Sequence, residues 1–348
     1  MDEIIKKYIG SSDLKVSEAM QLIDINHCGV LFIADDNGML LGSVSDGDIR
    51  RFLLSGGNLC DPVLLAINKF PKTAKTYDDA KSVYHIKYYA AVPIVDDAGC
   101  IKDIYVGKTS FDKPRKSLHI PVVINAGGKG TRLDPFTKVL PKPLIPVGEI
   151  PIIEHIMREY QSYDCNEFHI IVNYKRDLMK AYFADNENHY NITWYDEDKP
   201  LGTGGGLSLL RGMFKDSFFF ANCDALLTAN YESMLKFHKD NGNMITMVCA
   251  YKNINIPYGV VEMGINGTIE NMKEKPSVSF LTNTGIYIVE PEVIDDMEDG
   301  VAIGFPDIVE QQRQKGKKVA VFPVSENDWM DMGQLPELEK MRIKLYGE

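Results

Sequence analysis

A short apolar run, Val122-Val123-Ile124, passes through Asn125-Ala126 into a glycine-rich turn, Gly127-Gly128-Lys129-Gly130-Thr131, with Arg132 and Leu133 directly behind it. A strand that ends in such a loop points backbone N–H groups at one spot, which suits phosphate oxygens. Glycine is needed where the backbone must come close to a ligand or take a positive φ. Ten residues past Arg132 stands Lys142, between Pro141 and Pro143. Two cations in fixed places suit a polyphosphate whose charge shifts during reaction. The spacing does not match GxxxxGK[ST], nor a GxGxxG that opens a helix.

The longer pattern from Gly127 to Val147, GGxGTRLxPxTxxxPKPLxPV, is more specific. It resembles the signature of the sugar-1-phosphate nucleotidylyltransferases, or nucleotide-sugar pyrophosphorylases. That resemblance implies that Ala126, Gly127, Gly128, Gly130 and Thr131 hold a nucleoside triphosphate. Arg132 would then bind the departing β and γ phosphates and Lys142 the α-phosphate. Leu201-Gly-Thr-Gly-Gly-Gly206 resembles the family's LGTAG loop, with Gly202 and Thr203 against the nucleoside.

Asp224 ends the apolar run Phe218–Cys223, and an unpaired carboxylate there is costly to bury. Asn222-Cys-Asp224 matches the [NG]-x-D tip, and Trp329-Met-Asp331-Met-Gly333 resembles the W-x-D-x-G element. By resemblance, Asp224 and Asp331 converge on Mg²⁺, which prefers hard oxygen ligands. Three further elements resemble the sugar-binding half: Tyr258-Gly259-Val-Val-Glu262, Glu274-Lys275-Pro276 and Asn283-Thr284-Gly285-Ile286. They imply sugar contacts from Gly259, Glu274, Asn283 and Thr284, and a catalytic cation in Lys275. The seven histidines form no HxxxH or HExxH pattern, and His155 reads as a packed residue on an amphipathic helix.

The first third holds an internal repeat. Ile33-Ala-Asp-Asp-Asn-Gly38 recurs as Ile94-Val-Asp-Asp-Ala-Gly99, and Ala19 falls on Ala80 in the same register. Each copy reads as a helix, an apolar strand, a tight turn and a second strand. This part resembles a tandem pair of CBS domains, with repeats about 10–60 and 71–109. In that family a hydroxyl and a carboxylate spaced S/T-x-x-D hold a nucleotide, and Ser45 and Asp48 fit. The second copy has Val106 and Thr109 instead. The resemblance implies an adenine nucleotide at Ser45 and Asp48; a dimerisation module without ligand, with Ser45-x-x-Asp48 as a helix cap, is the alternative. Residues 111–120 read as a linker whose basic run, Lys113-Pro-Arg115-Lys116, is solvated.

The 348 residues suffice for about two domains. The net charge of −11 argues against nucleic acid as a partner. No apolar run is long enough to span a membrane, and the opening MDEIIKKYIG is no signal peptide. Six scattered cysteines without CxxC read as reduced thiols of a cytoplasmic protein. From 121 onward, strand runs (121–126, 167–174, 191–196, 217–223, 244–251) alternate with helical ones (151–163, 176–186, 203–214, 230–241). A β-rich stretch (258–290) and helices at 306–314 and 334–345 follow. The expected class is α/β: a Rossmann-like, mostly parallel sheet over 121–348, preceded by an α+β CBS pair over 1–110.

The expected reaction is NTP plus sugar 1-phosphate giving NDP-sugar and pyrophosphate. A CBS pair before a short catalytic domain resembles bacterial guanylyltransferases that supply GDP-activated hexosamine for legionaminic acid synthesis. That favours GTP with glucosamine or N-acetylglucosamine 1-phosphate. Mannose- or heptose-1-phosphate guanylyl transfer and other NTPs stay open. So does a sensor that binds nucleotides without turnover. A CBS pair also implies a homo-oligomer.

Overall fold

The computed structural model describes residues 3–26, 28–87, 90–107, 115–184 and 190–347. The chain divides into two compact units: Met1–Pro114 with Tyr251–Leu281, and Arg115–Ala250 with Thr282–Glu348.

In the first unit, one repeat comprises β1 (Ile9–Ser11), α1 (Val16–Asn26), β2 (Val30–Ala34), β3 (Leu40–Ser45) and α2 (Asp46–Leu54). The other comprises α3 (Tyr77–Lys87), β4 (Ala91–Val95) and β5 (Ile101–Val106). Strands β2 and β3 pair antiparallel, as do β4 and β5. The repeat seen in sequence recurs bond for bond. Asp35 Oδ1 accepts from the Asn37 and Met39 amides, and Asp96 Oδ1 from those of Ala98 and Cys100. The two turns also bridge each other, with Leu40 N donating to Gly99 O and Ile101 N to Gly38 O. Val16, Ala19, Ile23, Leu31 and Ile49 form the core of the first repeat.

Ser45 caps α2: its hydroxyl accepts from Asp48 N, and Asp48 accepts from Ser45 N in return. Asp48 also pairs with Arg51. Val106 ends β5, whereas Thr109 lies outside the described residues. So do 111–114 of the expected linker. Arg115 departs from the expected solvated run: it bonds Glu159 at 3.0 Å, and its guanidinium lies 4.9 Å from the Tyr163 ring centre. A carboxylate and an aromatic face together hold a guanidinium better than water does.

The second unit is built on β6 (Val122–Asn125), α4 (Ile152–Gln161), β7 (Glu167–Val172), α5 (Arg176–Ala184), β8 (Asn191–Asp196), β9 (Phe218–Asn222), β10 (Ala225–Leu227), α6 (Tyr231–Asn241) and β11 (Ile245–Asn255). After an excursion through β12 (Val260–Met263) and β13 (Ile269–Lys273), it resumes with β14 (Ser277–Val289), α7 (Phe305–Gln314), β15 (Val319–Val324), β16 (Trp329–Asp331) and α8 (Leu335–Tyr346). The sheet order is β8–β7–β6–β9–β14–β11–β15. Pairs β8–β7, β7–β6, β6–β9 and β11–β15 are parallel, and β9–β14 is antiparallel.

Val122 and Ile124 pack in one apolar cluster with α4, α6 and α8; Val123 packs in another with α7. A strand buried on both faces reads as a continuous apolar run, as Val122–Ile124 does. The expected helix over 203–214 does not form; Gly205–Leu210 is a short 3₁₀ turn. Clustered glycines lower helix propensity. The backbone of residues 301–305 also lies so close that a Cβ at Gly205 would sit 2.3 Å from Val301 O.

Candidate active site

Strands β6 and β9 end side by side, with Asn125 opposite Asn222. The loops that follow them carry the candidate residues. Beyond β6, Ala126 and Gly127 are buried, whereas Gly128, Thr131 and Arg132 are exposed. Gly130 adopts φ +65°, and a Cβ there would lie 2.9 Å from Lys142 Cβ. The loop therefore rests directly on the lysine, and only glycine allows that approach in that conformation. Thr137 Oγ1 ties the turn with a bond to Asp134 Oδ1 at 2.6 Å.

Lys142 Nζ donates to Asp224 Oδ2, and both side chains are largely buried. Asp224 meets Asp331 through backbone pairing. Strands β10 and β16 run antiparallel with Ala225 opposite Asp331, and Met332 N donates to Asp224 O at 2.9 Å. Burial disfavours charge on Lys142, but Asp224, Cys223 and Asp331 outweigh it and hold the ammonium pKa above the ordinary value. Burial also raises the Asp331 carboxyl, the charge of Asp224 adds to this, and Lys142 and Arg132 oppose it. Lys142 is thus paired with Asp224, and Asp331 and Arg132 act on the same charges through space. Among the described residues, no group of three or more His, Cys, Asp and Glu side chains is gathered around one point. A pair of carboxylates fits Mg²⁺, which keeps waters and takes its remaining oxygens from phosphates.

The second loop follows β8. Gly202 and Thr203 are exposed, and Asn125 Nδ2 donates to Thr203 O at 3.1 Å, linking this loop to the end of β6. Gly202 has φ +79°, and a Cβ there would meet Ile303 O at 2.6 Å. Its smallness thus serves contact with Ile303 as well as any approach of a base. Thr203 Oγ1 accepts from Phe305 N at the start of α7.

Between the two loops stands Glu197, which the sequence reading passed over. It is 3% exposed, and its Oε1 has no hydrogen-bond partner. A Cβ at Gly127 would lie 2.8 Å from Oε2, and one at Gly206 2.6 Å from Oε1. Burial raises its carboxyl pKa to about 7, against a hydrogen bond from the Leu201 backbone. A lone buried carboxylate walled by two ligand-type loops is a candidate functional group. The available signal was an acid one residue beyond a strand and five before Gly202.

Thr284 is buried; its hydroxyl donates to Val248 O at 2.8 Å. Asn283 Oδ1 accepts from Gly285 N, and its Nδ2 donates to Tyr287 OH at 2.6 Å. Gly259, Glu274 and Lys275 belong to the first unit and are exposed. There a Cβ on Gly259 would lie 2.9 Å from Glu274 Oε2, so these two face each other. Lys275 follows with φ +43°. His155 Nε2 donates to Val147 O at 2.9 Å and its ring lies edge-on to Tyr346, the packed role expected of it. Among the described residues no helix is long and apolar enough to cross a membrane.

A nucleotidyl transferase family model matches residues 121–346, and a CBS domain model matches 9–55. The mannose-1-phosphate guanyltransferase of Pichia angusta is 34% identical over 226 residues, 61% of this chain and 60% of that protein. The UTP–glucose-1-phosphate uridylyltransferase of Synechocystis is 30% identical over 240 residues, 62% of this chain and 60% of that protein. The chain thus spans about 60% of the length of these curated relatives. The crystal structure of HddC from Yersinia pseudotuberculosis superposes with a TM-score of 0.51, covering 65% of this chain and 99% of that one. At 21% identity the likeness is one of fold. HddC has also been solved complexed with GMP-PN.

Proposed function

Because this chain belongs to the nucleotidyl transferase family, we propose that it transfers a nucleoside monophosphate from an NTP to a sugar 1-phosphate, releasing pyrophosphate. The observation that carries this reading is the convergence of Lys142, Asp224, Asp331 and Arg132 where β6 and β9 end. The sugar phosphate oxygen is already ionised and needs no general base, so catalysis rests on alignment and charge neutralisation. Backbone N–H groups of Gly127–Thr131 hold the triphosphate. Lys142, released from Asp224 as phosphate enters, neutralises charge building at the α-phosphate. Arg132 stabilises the departing pyrophosphate, and Lys275 the incoming sugar phosphate. Asp224 and Asp331 would hold Mg²⁺, which would supply Lewis-acid neutralisation of the phosphates.

Glu197 favours GTP. Guanine alone among the four bases presents two adjacent N–H donors, N1–H and N2–H₂, to a carboxylate. A guanine between the two loops would give Oε1 the hydrogen bond it lacks, and such charge-assisted pairs are strong. The guanyltransferase from Pichia supports the same base. The joint architecture favours glucosamine or N-acetylglucosamine 1-phosphate, of the kind that feeds legionaminic acid synthesis. Mannose 1-phosphate is the second reading, favoured by that relative. The proposal extends to an adenine nucleotide at Ser45 and Asp48, which would compete with Arg51 for the carboxylate, and to a homo-oligomer assembled through the CBS pair.

The test is pyrophosphate release with Mg²⁺, crossing four NTPs with glucosamine-, N-acetylglucosamine-, mannose- and glucose-1-phosphate. Fast release with GTP and one hexosamine is the expected result. Fast release with UTP or dTTP would overturn the role of Glu197. No release from any pair, with nucleotide still bound, would leave the sensor in its place.

A further inference from the structure

The excursion from Tyr251 to Leu281 carries Gly259, Glu274 and Lys275, and it is compact with the amino-terminal part of the chain. Its neck is a two-stranded ribbon. Ser277 Oγ bonds Asn255 Oδ1 at 2.8 Å, Ser279 Oγ bonds Asn253 Oδ1 at 3.1 Å, and Ile256 N donates to Pro276 O at 2.9 Å. Beyond the neck, β12 and β13 form an isolated antiparallel pair. Val261 and Met272 stand opposite each other, as do Met263 and Ile269, and all four are exposed. A lone hairpin is marginal in water, and this one buries almost none of its apolar surface.

Within Tyr251–Leu281, Tyr251 is the one buried residue, 5% exposed. It belongs to the same apolar cluster as Val16, Ala19, Ile23, Ile49 and Val63, the core of the first CBS repeat. A buried tyrosine contributes about 150–250 Å² of contact at the cost of few rotatable bonds. The excursion therefore has a single apolar anchor, and that anchor is seated among residues distant in sequence.

We propose that Tyr251 is a positioning residue for sugar-phosphate recognition: its ring, held in the core of the first CBS repeat, fixes the arm that bears Gly259, Glu274 and Lys275. The CBS repeat then acts on affinity for the sugar phosphate rather than on the nucleotide loops. This rests on the transferase reading above.

The experiment uses the full chain with Tyr251→Ala, Tyr251→Phe and Ile49→Ala, which opens the same core from the CBS side. Steady-state kinetics should show the sugar 1-phosphate KM raised at least about 10-fold in Tyr251→Ala, with the NTP KM within about twofold. Ile49→Ala should shift the same KM in the same direction, and Tyr251→Phe should match the wild type. Amide hydrogen exchange over 256–276 should accelerate at least about 10-fold in Tyr251→Ala, and less in Ile49→Ala. Equal rises in both KM values would overturn the proposal, as would unchanged exchange in the two cavity variants. If Tyr251→Ala does not fold, Ile49→Ala decides on the same criteria. A wild type that releases no pyrophosphate would sink the transferase reading, and the exchange measurement would still decide the anchoring.

Discussion

Around Lys142 the glycine loop, Asp224 and Asp331 close in from separate elements, whereas on the arm Glu274 and Lys275 stand exposed, with Tyr251 as the one buried side chain of Tyr251–Leu281. Lys142 sits between the glycine loop and two carboxylates, with the charges of the cluster already opposed. That is preorganisation in the electrostatic sense, where the environment is in place before the reaction starts. The arm has no comparable burial. On the proposed function, chemistry belongs to the buried cluster and adjustable recognition to the exposed arm.

The largest expected effect breaks the charged cluster around Lys142. Asp224→Ala and Arg132→Ala should each lower kcat at least about 100-fold, the scale for removing a preorganised charge stabiliser. Near-normal pyrophosphate release in both variants would remove the cluster from catalysis.

Next comes Glu197→Gln, which replaces one acceptor oxygen by a donor. With GTP, kcat/KM should fall about 10–100-fold, as for loss of a hydrogen bond to a charged group. The same variant has a pH signature. Burial raises the Glu197 carboxyl from its ordinary value of 4.5 to about 7, so between those values the folded state holds a proton that the unfolded chain has lost. Stability from the protonated acid is complete below the unfolded value and is lost as pH rises through the folded one. Chemical denaturation should therefore show Glu197→Gln gaining on the wild type as pH rises from 4.5 to about 7. A difference independent of pH would contradict the burial argument.

A smaller effect sharpens the exposed half. Lys275→Ala should raise the sugar 1-phosphate KM about 10-fold, a loss of roughly 1.4 kcal/mol, with the GTP KM nearly constant in initial-rate measurements. Comparable losses for both substrates would merge the two halves into one. The smallest effect lies in the CBS repeat. Ser45→Ala removes the capping hydroxyl of α2 and should lower stability by about 1 kcal/mol in chemical denaturation.

The strands at 191–196 and 217–223, the helices at 151–163 and 230–241 and the 61-residue repeat were legible because their causes are local. Periodicity, turn residues and end caps act within a few positions. Asn230, for example, caps α6 from its own side chain, accepting from Ser233 N. The glycine loop and the two cations were legible for the same reason, since they lie within one continuous segment. The turn at Gly205–Leu210 was misread as helix because the chain that crowds its glycines comes from residues 301–305, about a hundred positions away.

The sequence by itself determined the α/β class, the tandem repeat and the residues available to a phosphate site. Tertiary structure alone decided which of them meet. Pairing of β10 with β16 sets Asp331 beside Asp224, Lys142 closes on that pair, Glu197 loses its solvent and Tyr251 enters the core of a CBS repeat. The physical reason is that charge pairing, desolvation and apolar burial depend on distance in space, and sequence patterns record only distance along the chain.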